Sequence, residues 1–190
     1  DDEARERAEK LIEDTPGSAS VRFIWLGECS GAERFTSRKA VARLKPVFDA
    51  GVDVAHLHGM WEMLLPTAAS MARKRGVPYL VAPHGMLDPV VFKVRWWKKR
   101  IALLTTHRKM IPSVACMHML NKDETDLARP IIGNVPARVV PNGIFESEFD
   151  RPSDDGAFRR EHPELRDDPY ILFLSRVQYK KGLDYLVEAF

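Results

Sequence analysis

Strand-length runs of apolar residues alternate along this chain with longer stretches whose apolar residues recur at helical spacing, and that alternation restricts the fold to a parallel α/β sheet. The runs at 21–26, 52–57, 79–82, 114–120, 137–140 and 170–174 read as strands. Between them, Val41, Leu44 and Phe48 form one helical stripe, and Val94, Trp97, Ile101 and Leu104 a second. Leu183, Leu186, Val187 and Phe190 form a third at i, i+3, i+4 and i+7. Each stripe is expected to pack on the sheet. Asn121 with Glu124 three residues later has the pattern of a capping box, opening a short helix that Pro130 should end.

The expected architecture is a Rossmann-like parallel sheet flanked by helices over 1–144, a linker with a short helix over 145–168, and the first βα unit of a second Rossmann-like domain over 169–190. The linker reading rests on Pro141-Asn142-Gly143, Pro152 and a run of acids, which have turn chemistry and little periodicity. One βα unit cannot cover both faces of its own sheet, so the second domain reads as incomplete. With no initiator Met and no strand with a Gly-rich turn before Val21, the amino end reads as truncated as well.

Composition supports a folded core: 45% of residues are hydrophobic, and 29 Lys and Arg nearly balance 27 Asp and Glu, outside the regime of disorder. No apolar run approaches the roughly 18 residues of a membrane span. Cys29 and Cys116 stand far apart and in no metal-ligand spacing, which fits a reducing, cytoplasmic compartment. The charge is segregated: residues 71–110 hold ten Lys or Arg against the single acid Asp88. Between Lys93 and Lys109 the basic residues surround Trp96 and Trp97, a mixture suited to lipid headgroups at an inner membrane face. Nucleic acid is not an expected partner, because no binding module is recognisable and the pI of about 8.6 is below that of a strongly basic domain.

Polar residues follow three of the expected strands, and in an open α/β sheet the carboxyl ends of the strands form the ligand crevice. His56, His58, Gly59 and Trp61 follow the first of these; His84 and Gly85 follow the second. Ser175 to Gly182 follows the third, with Arg176 and Lys181 before a helix start, a combination suited to a diphosphate.

Four motifs occur in order: Val52-Asp53-Val54-Ala55-His56-Leu57-His58-Gly59, Ala82-Pro83-His84-Gly85-Met86-Leu87, Val139-Val140-Pro141-Asn142-Gly143-Ile144, and Leu174-Ser175-Arg176 through Lys181-Gly182-Leu183-Asp184. In sequence and separation they resemble the group-one, or family-four, retaining glycosyltransferases. The resemblance implies the GT-B fold, with an acceptor-binding first domain and a nucleotide-sugar-binding second. It implies transfer of a sugar from a nucleoside diphosphate to a hydroxyl of a saccharide or lipid-linked acceptor, with retention, in cell-surface polysaccharide or lipopolysaccharide synthesis. On that resemblance Arg176 and Lys181 hold the donor diphosphate, so that no bound metal or other cofactor is required. His84 is the catalytic candidate and Gly85 its neighbour at the donor sugar. Asn142 and Gly143 line the interdomain turn, and His56, His58 and Trp61 fall on the acceptor side.

The family's Gly-rich turn after the first strand is not in this chain, and its paired-glutamate motif would lie past Phe190. The resemblance therefore implies poor donor binding and little turnover by this chain alone. Two other readings stay open on sequence. His56, His58 and His84 could be ligands of a metal-dependent hydrolase. Alternatively the fold could bind nucleotide without turnover.

Overall fold

The computed structural model describes residues 2–27, 31–146, 154, 156–166 and 168–190. The chain divides into two compact units, Asp1–Asn142 and Gly143–Phe190.

Unit 1 is built on a four-stranded parallel sheet of β1 (Ala55–His58), β2 (Tyr79–Ala82), β3 (Cys116–Met119) and β4 (Ala137–Val139), adjacent in chain order. Three of the expected strands match closely. The first begins three residues late: a bend at Asp53 follows Gly51, whose φ is 101°, and the ladder starts only where Ala55 N–H donates to Pro78 O at 3.0 Å.

Helices precede and follow these strands. α1 (Asp2–Asp14), which the sequence reading did not foresee, is laced by the i, i+4 pairs Arg5–Glu9 and Arg7–Glu3. α2 (Glu33–Thr36) is a single turn leading into α3 (Arg38–Asp49), which carries the expected stripe, with Phe48 buried and Val41 and Leu44 packed against the core. α4 (Leu64–Lys74) is the central helix: Leu65, Pro66, Ala68, Ala69, Met71 and Ala72 are all buried. Small side chains allow it to lie close to the sheet.

Two short helices follow β2, α5 (Pro89–Lys93) and α6 (Trp96–Leu104). Val94 lies between them, and the stripe it shares with Trp97, Ile101 and Leu104 does not pack on the sheet as expected; all four are exposed. Helical period states that a helix has an apolar side, and leaves open what that side meets. α7 (Lys122–Ile132) runs past Pro130 to Gly133, which has a φ of 58°. The expectation that Pro130 ends the helix is therefore corrected: Ile131 and Ile132 pack into the core beyond it, and that burial holds the last turn in place of the missing N–H.

Alternation along the strands sends Leu57, Tyr79, Val81, Met117 and Met119 into the core, with Tyr79 OH donating to Met110 O. The opposite face carries His56, His58, Leu80, Cys116 and His118, none of them fully buried.

Among the described residues the segment 21–26 forms no strand, and Val21, Phe23 and Ile24 are exposed, contrary to the expected strand. Cys29 lies outside the described residues. In unit 2, α8 (Ala157–Glu161) and α9 (Leu183–Ala189) are helical, but the expected strand at 170–174 is likewise unpaired, with Ile171, Leu172 and Leu174 exposed. An apolar run becomes a strand only when a second strand satisfies its backbone groups. Of the expected linker, 147–153, 155 and 167 lie outside the described residues.

Candidate functional site

The carboxyl ends of β1 and β3 and the loop after β2 bring four imidazoles into one row. Because side chains alternate, His56 and His58 leave β1 on the same face, with ring centroids 4.3 Å apart. His58 Nδ1 lies 2.8 Å from His84 Nε2, and His56 Nε2 lies 3.2 Å from His118 Nδ1. His118 Nε2 donates to Val140 O at 2.7 Å. That carbonyl can only accept, so in the neutral ring it leaves His118 Nδ1 as an acceptor and makes His56 Nε2 the donor to it. The backbone of one strand end thus sets the tautomers of two side chains. Across β4, Arg138 stands in register with His118.

Burial is the largest cause holding the His56 and His58 pKa values below the ordinary 6.5, followed by repulsion from His58, His118 and His84 on His56, and from His84 and His118 on His58. The unfolded chain therefore binds more protons than the folded one as pH falls through 6.5. Stability contributed by the neutral pair is present above that value and is lost on acidification until the folded rings also protonate. Urea midpoints measured from pH 8 to pH 5 should fall in the acid half of that range. The double variant His56→Gln and His58→Gln should flatten the fall, and an equally steep curve would show that other groups carry it.

His84 has a φ of 50° and Gly85 a φ of 72°, so the chain turns left-handed twice at the end of β2. Glycine adopts this freely and histidine at a cost, which makes His84 a strained residue in a ligand crevice. Glu124 on α7 ties the turn down. Its carboxylate accepts from Gly85 N–H at 2.5 Å and from Leu120 N–H at 2.6 Å, and the residue is only 8% exposed. Asn121 Oδ1 accepts from Glu124 N–H at 2.7 Å, which is one half of the expected capping box. The other half is diverted, because the Glu124 carboxylate joins two strand ends instead of returning to Asn121. His84, Gly85, Asp88, Asn121, Asp123 and Glu124 border a cavity of about 280 Å³ there.

Trp61 does not join the histidine row. Its Nε1 donates to Met86 O at 3.2 Å, its ring meets Phe92 and the buried His107, and Lys99 Nζ lies 5.4 Å from the ring centre. It borders a separate cavity of about 660 Å³ with Leu26, Glu62 and Arg95. Asn142 is the last residue of unit 1 and Gly143 the first of unit 2, and both are exposed. Arg176 and Lys181 belong to unit 2 and are also exposed; Lys181 ends a 3-10 turn (Tyr179–Lys181) whose cap, Gly182, has a φ of 66°.

His118 and Glu124 are the two residues that sequence reasoning did not place in the site. His118 was hidden in the apolar run of β3, and its signal is the polar position in Cys116-Met117-His118-Met119, in phase with the outward face. The three histidines of the hydrolase reading are partnered in two separate pairs: His58 faces His84 and His56 faces His118, nitrogen to nitrogen, while His56 and His58 meet as tilted rings 4.3 Å apart. Among the described residues no group of three or more His, Cys, Asp or Glu converges as a metal site.

No curated protein and no solved structure gives a significant match to the chain. The family model of the glycosyl transferase 4-like domain matches residues 3–143, nearly the whole of unit 1 with its sheet, its histidine row and the His84-Gly85 turn. By that match the chain belongs to the glycosyl transferase 4-like family.

Proposed function

We propose that the chain takes part in a retaining transfer of a sugar from a nucleoside diphosphate to an acceptor hydroxyl, with His84 at the donor sugar and Arg176 and Lys181 at the diphosphate. A glycosyltransferase needs a sugar donor and an acceptor, and the family supplies that much. The observation that carries the finer reading is the strained His84-Gly85 turn, pinned by Glu124 beside a cavity at the carboxyl end of a parallel sheet.

As the glycosidic bond breaks, negative charge grows on the departing diphosphate and positive charge on the anomeric carbon. Arg176 and Lys181 stabilise the first, more strongly in the transition state than in the ground state, which is the condition for raising kcat. His84 hydrogen-bonds the sugar or the incoming hydroxyl, and His58 supplies it with the orienting partner that no carboxylate provides. The leaving phosphate takes the acceptor proton on the face it vacates, so the new bond keeps the configuration of the old. His56, His58 and His118 offer acceptor-side hydrogen bonds along the row. Cell-surface polysaccharide or lipopolysaccharide synthesis, on the cytoplasmic side of a membrane, is the setting that such a donor and a lipid-linked acceptor suit.

The test is a panel of nucleoside diphosphate sugars offered to the full-length protein that carries these residues, with saccharide and lipid-linked acceptors, the product's anomeric configuration being read by NMR. One donor should be consumed with retention. His84→Ala should lower kcat about 10- to 100-fold with little change in donor KM, the effect of one transition-state hydrogen bond. An inverted product would end the retaining reading, and an unchanged kcat would remove His84 from the reaction centre.

A further inference from the structure

We propose that α5 and α6 form a docking face for an anionic lipid surface, seated by a ridge of apolar side chains and held by the cations beside it. The face is unusual for a folded unit: neither helix contains a buried residue. Val90 is 49% exposed, Val94 48%, Trp97 52%, Ile101 52% and Leu104 67%. At about 100° per residue, Trp97, Ile101 and Leu104 fall within roughly 60° of arc on α6, while Lys99 and Leu103 lie on the opposite side. That opposite side is the one held to the protein. Leu103 packs against the core, and Lys99 Nζ donates to Val91 O at 2.5 Å and lies near the rings of Trp61 and Phe92.

Charge complementarity selects the occupant. From Pro89 to Leu104 the sequence has Lys93, Arg95, Lys98, Lys99 and Arg100 and not one Asp or Glu. Lys98 and Arg100 flank the apolar ridge, Lys98 Nζ lying 5.3 Å from the Trp97 ring centre. A partner protein surface of ordinary composition would offer mixed charge, which this face would repel in part. Anionic headgroups over hydrocarbon match both halves at once: tryptophan rings settle at the headgroup level, aliphatic tips reach the acyl boundary, and lysine and arginine meet phosphate. No helix among the described residues is long and apolar enough to cross a membrane, so the contact is one of lying on the surface.

The experiment is sedimentation of the full chain with vesicles of phosphatidylglycerol and phosphatidylcholine, against vesicles of phosphatidylcholine alone, over a salt series. Binding should require the anionic lipid, fall at least tenfold between 0.1 and about 0.5 M salt, and shift tryptophan emission to the blue. The paired variant Trp97→Ser and Ile101→Ser should lose at least tenfold in binding, and so should Lys98→Glu with Arg100→Glu. All four side chains are exposed, and circular dichroism of the variants checks that they fold. Binding to both vesicle types equally, binding to neither, or variants that bind like the parent would overturn the proposal. So would concentration-dependent dimers abolished by Trp97→Ser and Ile101→Ser, which would make the ridge a contact between copies. Vesicle binding is read without turnover, so its outcome is independent of the donor assignment.

Discussion

Arg176→Ala is expected to lower kcat/KM for the nucleotide sugar by about 10²- to 10³-fold, the effect of removing one preorganised group that faces developing charge. Lys181→Ala should act in the same direction. Because both residues meet the same diphosphate, the double variant should lose less than the product of the two single losses. Arg176→Lys should recover little, since an ammonium cannot reproduce the planar two-pronged contact of a guanidinium with phosphate oxygens. Both side chains are exposed, so none of these variants should shift the unfolding midpoint appreciably. Steady-state kinetics of the full-length protein with a matched donor, together with direct titration of the free nucleoside diphosphate, separates ground-state from transition-state effects. Parent-like affinity and turnover in both single variants would remove the donor site from unit 2.

The largest effect on stability should come from Glu124. Its carboxylate accepts two short backbone hydrogen bonds from different loops, and hydrogen bonds to a charged group contribute about 1.5 to 3 kcal/mol each. Glu124→Ala should therefore destabilise unit 1 by about 3 kcal/mol or more, leaving the Gly85 and Leu120 N–H groups without their acceptor. Glu124→Gln keeps one acceptor oxygen and turns an NH2 group toward the other N–H, so it should lose about half as much. Asn121→Ala removes only the helix cap and should cost about 1 kcal/mol. Urea unfolding of the three variants ranks them, and a Glu124→Ala loss no greater than that of Asn121→Ala would show that the carboxylate does not join the two loops. The same variant should lower kcat through His84, because the turn that holds the histidine left-handed is no longer tied to α7.

Much of the sheet could be read from residue order, because β2, β3 and β4 are short apolar runs bounded by turn residues and surrounded by helical segments. The runs at 21–26 and 170–174 have the same local chemistry and are unpaired, since pairing depends on a distant neighbour that local chemistry does not specify. The central helix α4 escaped notice for a related reason: Pro66 in its first turn and four alanines and serines give a weak stripe, although the helix is the most buried in the unit. In the site, His84 and Gly85 were legible as a polar turn after a strand, and His56 and His58 as residues of one face. The partnership of His58 with His84, and of His56 with His118, needed the register between strands far apart in the chain. Glu124 was read as a local cap because spacing reports neighbours along a helix, whereas its acceptor role is tertiary.

The sheet grows in the order in which its strands are synthesised, β1, β2, β3 and then β4, each laid beside the one before. An emerging strand consequently meets a template already made, and no strand must wait at an open edge for a later one to be inserted between it and its neighbour. Each pairing closes only the loop between consecutive strands, which costs less chain entropy than inserting a late strand between two early ones and shortens the time that hydrogen-bonding edges are available to other chains. Assembly on the ribosome can thus proceed one crossover at a time.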